Sequence, residues 1–229
     1  MKKIALCTGM LFISSMSFAN SIHNKSPAKD QLGYSYGYVM GRTNADTLKD
    51  INLEAFIEGL KQGSNGQKPS LTEQEMAQAL TQYKKSNESK QLEQFKQLAA
   101  KNLKEGEVFL ANNAKQAGVI TRPSVLQYRV LKAGSGQSPN ATSKVKVDYE
   151  GRLIDQTVFD SSIARNQPVE FQVSQVIAGW TEGLQLMKEG AKYRFFIPAR
   201  LGYGEMGSGD SIAPNSTLIF DVELIQVLP

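Results

Sequence analysis

The chain is predicted to be α+β, an all-helical N-terminal part followed by a compact domain of five strands and one short helix. Three observations predict it. Between Thr72 and Ala117 there is no proline, and Lys, Glu, Gln and Ala dominate. Beyond Pro123 the apolar spacing changes from helical to every second residue. A single stripe spaced three, four and three, Ile177, Trp180, Leu184 and Met187, interrupts those strands. The 229 residues leave room for two domains.

The first element is expected to be removed. Lys2 and Lys3 precede a mostly apolar run from Ile4 to Phe18, and Ser17-Phe18-Ala19 is a small-x-small cleavage site. The run is shorter than the ~20 residues of a spanning helix, so residues 1–19 read as a signal peptide and no membrane span remains after cleavage. Residues 20–122 then form the helical part. Gly33, Gly37 and Gly41 recur every fourth residue between Tyr34, Tyr38 and Met40. That pattern fits either a smooth face for another backbone or a single glycine-weakened helix. Leu53, Phe56, Ile57 and Leu60 share one stripe, with Asn52 as N-cap. Gly63 to Pro69 is a turn, and Thr72 with Glu75 makes a capping box for the next helix.

That helix, about 45 residues at 1.5 Å each, would span roughly 65–70 Å. Its apolar positions, Met76, Leu80, Tyr83, Leu92, Phe95, Leu98 and Phe109, keep no clean heptad, and Gly106 is a weak point. A mostly solvated helix of this length needs a partner chain or acts as a spacer. Dimerisation near its N-terminal end and separation of domains beyond it are both expected. Gly118 and Pro123 close the helical part.

Residues 123–229 carry the alternating segments: Leu126 to Val130, Val145 to Tyr149, Val169 to Val173, Tyr193 to Ile197 and Leu218 to Leu224. The Ile177 to Met187 helix is expected to end at Gly190. Composition narrows the chemistry. Cys7 is the sole cysteine and His23 the sole histidine. A processed chain would therefore lack a thiol nucleophile, a Ser-His-Asp triad and a histidine metal site, and neither metal nor cofactor is expected. Without Lys2 and Lys3 the balance is 24 basic against 22 acidic residues, too even for nucleic-acid binding. Gly202-Tyr-Gly-Glu-Met-Gly207 matches a dinucleotide fingerprint, but Ser208 to Pro214 is loop chemistry where a helix should start.

Six stretches carry a resemblance. They are Val147-Asp-Tyr-Glu-Gly151, Phe159-Asp-Ser-Ser162, Arg165-Asn-Gln-Pro168, Val176 to Gly183 around Trp180, Leu201-Gly-Tyr-Gly204, and Ala213 to Leu224. In this order they resemble the FKBP-type peptidyl-prolyl cis–trans isomerases. The whole chain looks like the two-domain, secreted bacterial members of the macrophage-infectivity-potentiator type. The N-terminal match is looser and rests on Leu32 to Gly37, Phe56 to Leu60 and Leu71 to Met76.

The resemblance implies an FKBP-like half-barrel of antiparallel strands wrapped on the short helix. It implies a substrate pocket of Tyr149, Phe159, Val169, Phe171, Val176, Trp180, Ile212 and Phe220, with Trp180 as floor. Catalytic roles would fall to the Ile177 N–H and the Tyr203 hydroxyl at the peptide carbonyls, and to Asp160 at the rim, held by Arg165. The bland readings stand beside these: core aromatics, a structural Asp160–Arg165 pair, Tyr203 as a loop anchor. Val169 stands where a Phe is frequent, and Gln175 where a Glu is. The implied partners are proline-containing unfolded polypeptides, a second copy of the chain, and macrolide inhibitors of the family. The implied location is the periplasm or the outer surface of a bacterium. A non-enzymatic dimeric chaperone or peptide-binding module is the alternative reading.

Overall fold

The computed structural model describes residues 22–229, so the expected signal segment and its cleavage after Ala19 lie outside the described residues. The chain divides into two compact units, Met1–Ala77 and Gln78–Pro229.

In the first unit α1 runs Ala28–Thr43, α2 Ala45–Lys49 and α3 Leu53–Ser64. The caps follow the sequence. Asn52 accepts from the Ala55 N–H at 2.9 Å. The Thr72 N–H donates to Glu75 at 2.8 Å, and the Glu75 N–H returns a bond to Thr72 Oγ1 at 3.2 Å. This box opens α4, Glu73–Asn113, a single helix of 41 residues or about 60 Å. On α1 no heavy atom lies within 4 Å of where a side chain would stand at Gly33, Gly37 or Gly41. Leu32, Tyr34, Tyr38, Leu53 and Leu60 are all exposed.

The second unit holds an antiparallel sheet of seven strands among the described residues. They are β1 Val119–Thr121, β2 Gln127–Lys132, β3 Lys144–Leu153, β4 Val158–Ser161, β5 Val169–Gln172, β6 Lys192–Ile197 and β7 Leu218–Leu228. The order is β1-β2-β6-β7-β3-β4, and β5 shares with β4 the free edge of β3. The short helix α5, Ala178–Leu184, supplies Trp180 and Leu184 to a core with Val145, Val147, Phe195, Ile197 and Val222.

Four expectations are corrected. There are seven strands rather than five. The additions are β1, only three residues long, and β4, where Val158 and Phe159 stand side by side and do not alternate. The long helix ends at Asn113, not near Ala117, because turns at Lys115 and Gln116 close on Asn112 and Asn113 carbonyls. The short helix ends at Leu184, not at Gly190, since Leu186 and Met187 donate three residues back in tightened turns. Gly190 instead adopts φ 84° and donates to the Leu224 carbonyl at 2.8 Å. Finally, Gly106 is no weak point: α4 runs through it, and it is buried.

Candidate active site

The site is built on the strands and the short helix of the second unit, with two residues from a connection. β3 brings Tyr149, β4 brings Phe159 and Asp160, and β5 brings Val169 and Phe171. β7 brings Phe220, and the turn into α5 brings Val176 and Ile177. Tyr203 and Ile212 come from the long β6–β7 connection. Together with Trp180 they line an open cleft of ≈ 900 Å³. Of the twelve residues expected at the site, only Arg165 stands outside this lining.

Trp180 is 5% exposed and forms the base of an aromatic cluster. Its ring meets Tyr149 edge-on at 5.2 Å and Phe220 edge-on at 5.1 Å, and lies 5.5 Å from Phe171. Phe159 meets Phe220 edge-on at 5.4 Å. Edge-to-face pairs suit the ring quadrupole and lock each ring's angle. The indole is almost fully buried among these rings, so its face gives the cleft an apolar floor.

Polar groups sit at the rim. The Tyr149 hydroxyl donates to Asp160 Oδ2, and Arg165 Nη1 donates to Asp160 Oδ1. Arg165 Nη2 also reaches the Tyr149 oxygen at 3.3 Å. Burial opposes the Asp160 charge, but the bonds from Tyr149 and Arg165, with the Arg165 charge, outweigh it and hold this carboxyl below its usual range. Burial, followed by the bond to Asp160, raises Tyr149; burial, followed by the Asp160 charge, raises Tyr203. At neutral pH Asp160 is thus a carboxylate, and Tyr149 and Tyr203 are protonated phenols.

Tyr203 is 40% exposed and its hydroxyl makes no hydrogen bond among the described residues. Ile177 caps α5: its carbonyl accepts from Trp180 at 2.9 Å and from Thr181 at 3.0 Å. Its own N–H faces no acceptor among the described residues. Two donors therefore stand at the cleft without internal partners.

The cleft also includes Glu170, Gln175, Ser208, Gly209 and Ser211, which the sequence reading had not placed there. Glu170 follows from strand alternation only if the register of β5 on β3 is known. The three loop residues had been read only as loop chemistry. The segment from Gly202 to Gly207 holds one short 3₁₀ turn, Gly204–Met206, just after another at Ala199–Leu201, with no helix to receive a phosphate.

An antiparallel sheet on one short helix, with an aromatic cleft and unpaired donors at its lip, defines a protein with an apolar binding cleft. Comparison with known proteins gives that class its family. Residues 135–225 match the family model of FKBP-type peptidyl-prolyl cis-trans isomerase. Residues 29–130 match the domain amino terminal to FKBP-type peptidyl-prolyl isomerase. The chain is 39% identical over 227 residues to the Outer membrane protein MIP of Legionella longbeachae, covering 99% of this chain and 97% of that one. It is 40% identical over 199 residues to the FKBP-type 22 kDa peptidyl-prolyl cis-trans isomerase of Escherichia coli, covering 86% and 95%. The crystal structure of FkpA from Escherichia coli superposes with a TM-score of 0.77 at 34% identity, covering 89% of this chain and 98% of that one. The chain belongs to the FKBP-type peptidyl-prolyl cis–trans isomerases, and it is an enzyme of that type.

Proposed function

We propose that the cleft over Trp180 binds the proline ring of an X-Pro segment and speeds rotation about the preceding bond. The barrier to that rotation is about 20 kcal/mol, and unaided exchange takes tens to hundreds of seconds. Resonance makes the planar amide polar, and twisting it removes much of that polarity. A surface that strips water from the carbonyl therefore favours the twisted state. In this reading the Ile177 N–H and the Tyr203 hydroxyl take the peptide carbonyls, as donors already in place and needing no reorganisation. Asp160, held by Tyr149 and Arg165, keeps the rim in shape and sets its field. A barrier lowered by about 7–8 kcal/mol gives roughly 10⁵–10⁶-fold acceleration with no proton moved and no covalent bond made.

The observation that carries this reading is the pairing of an apolar indole floor with two unpartnered donors at the lip. A protease-coupled assay on proline peptides tests it. The wild-type chain should accelerate cis-to-trans conversion, while Tyr203→Phe and Asp160→Leu should each lose about 10-fold or more. Wild-type rates in both variants would remove these residues from the mechanism. A macrolide inhibitor of the family would compete for the same cleft.

We further infer a homodimer formed through residues 20 to about 85, below a domain boundary near residues 122 and 123. The exposed apolar side chains of α1 and α3 support it. So does the match to the domain amino terminal to FKBP-type isomerases. Sedimentation should give twice the chain mass at micromolar concentration, and a monomer there would end the inference. Clients would be exported polypeptides in the periplasm or at the outer surface. A relative named as an outer membrane protein and the basic-apolar N-terminus favour that location. Apolar side chains of these helices that the dimer interface leaves uncovered would also let it shield unfolded segments as a chaperone.

A further inference from the structure

The C-terminal part of α4 does more than lead into the sheet. Ala99, Asn102, Gly106, Leu110 and Asn113 lie on one helical stripe, and each is buried or half-buried. At one end of the stripe Asn113 Nδ2 donates to Gln127 at 2.8 Å, and Gln127 Nε2 donates to the Leu110 carbonyl at 2.9 Å. Leu110 packs with Phe196 and Ile219 on β6 and β7. This end anchors the helix to the sheet.

The other end holds a loop. Asn102 Nδ2 donates to the Pro214 carbonyl at 2.8 Å, and Asn215 Nδ2 donates to the Ala99 carbonyl at 3.3 Å. Between them Gly106 faces Thr217 so closely that a side-chain carbon would stand 2.2 Å from Thr217 Oγ1 and 3.2 Å from its Cβ. Glycine is there because the helix backbone itself is the packing surface.

The segment so held, Pro214–Thr217, begins two residues after the lip residue Ile212. Its Asn215 N–H also donates to the Gly204 carbonyl at 2.9 Å, next to Tyr203. The Tyr203 turn is thus joined to α4 through Asn215, and the Ile212 segment through the residues that follow it, Pro214 to Thr217. Long connections of this kind are ordinarily among the least protected parts of a fold.

We infer that Asn102 and Gly106 are positioning residues for the isomerase: they clamp the Tyr203–Thr217 lip against α4 and set where Tyr203 and Ile212 stand over the floor. The inference rests on the proposed role of that cleft. Displacements near 1 Å at such a site are enough to lose up to 100-fold in rate.

The test uses the full chain with Gly106→Ala, Asn102→Ala and Gly106→Ala/Thr217→Ala. Val108→Ala, on the exposed side of the same helix, is the control. Each single clamp variant should lose about 10-fold in kcat with little change in KM, since the Trp180 floor is untouched. Amide exchange should rise about 10-fold or more across residues 203–217, while β3 and β7 stay protected. Removing Thr217 Oγ1 should restore part of the loss in Gly106→Ala, because the 2.2 Å clash is then gone and only the 3.2 Å approach to Cβ is left. The inference is overturned if both single variants keep wild-type kcat and exchange. It is overturned equally if exchange rises uniformly through the strands and the double variant rescues nothing. If the wild-type chain itself failed to catalyse, the functional reading would fall. The exchange pattern, read without substrate, would still decide the clamp.

Discussion

Trp180→Ala should reduce kcat/KM at least about 100-fold, a loss of some 2.7 kcal/mol in transition-state stabilisation. It should also cost about 3–5 kcal/mol in folding stability, the usual range for a buried tryptophan removed to alanine. Both follow from one contact set. The indole touches Tyr149, Phe171 and Phe220 at 5.1 to 5.5 Å between ring centres, so deleting it removes the floor and three ring partners together. Trp180→Leu separates the two effects. Leucine keeps an apolar filler and should recover part of the stability, while the flat surface under the proline stays lost. Urea denaturation and the protease-coupled assay, run on both variants, check this. A Trp180→Leu chain with wild-type kcat/KM would make the indole a core residue only.

The second large effect lies beneath that floor. Gly179 and Gly183 form the face of α5 that rests on β6. A methyl at Gly179 would stand 2.6 Å from Ile197 Cγ2, and one at Gly183 would stand 2.6 Å from Phe195 Cε1. Both neighbours are fully buried and have nowhere to move. Helix propensity alone would favour alanine by about 1 kcal/mol at each site. Overpacking costs about 1–3 kcal/mol per site, and these contacts belong at the upper end. Gly179→Ala/Gly183→Ala should therefore lose about 4 kcal/mol net, read as a lowered urea midpoint with an unchanged slope. A raised midpoint would mean that propensity wins and that α5 can lift from the sheet without cost. Because Trp180 and Ile177 ride on this helix, kcat/KM should fall in the same variant.

Much of the fold was legible because its signals are local. Asn52 and the Thr72–Glu75 pair announce helix starts within four residues, and they cap α3 and α4 as expected. Val145, Val147 and Tyr149 announce β3 by alternation. Ile177 and Trp180 begin the α5 stripe, although the helix itself stops at Leu184, within three turns of its start. The short strands β1 and β4 were not legible. Each is a strand only because a long neighbour pairs with it, Val119 to Thr121 against β2 and Val158 to Ser161 against β3.

The cleft divides in the same way. Its aromatic members were named through the ordered motifs that carry the family resemblance, and the structure gathers them around one indole. Arg165 was named with them, yet it bonds to Asp160 from outside the lining. Glu170 and Ser211 were missed because their side of the cleft depends on strand register and on the path of a loop.

By itself, the sequence determined the helix caps, the main strands, the α5 stripe and the residue types of the cleft, since each is written within a few positions. Only the tertiary structure decided that Gly106 is a contact rather than a flaw, and that α4 holds the lip of the cleft. The physical reason is distance along the chain. The bond from Asn102 to Pro214 joins residues 112 positions apart, and no local periodicity records such a pairing.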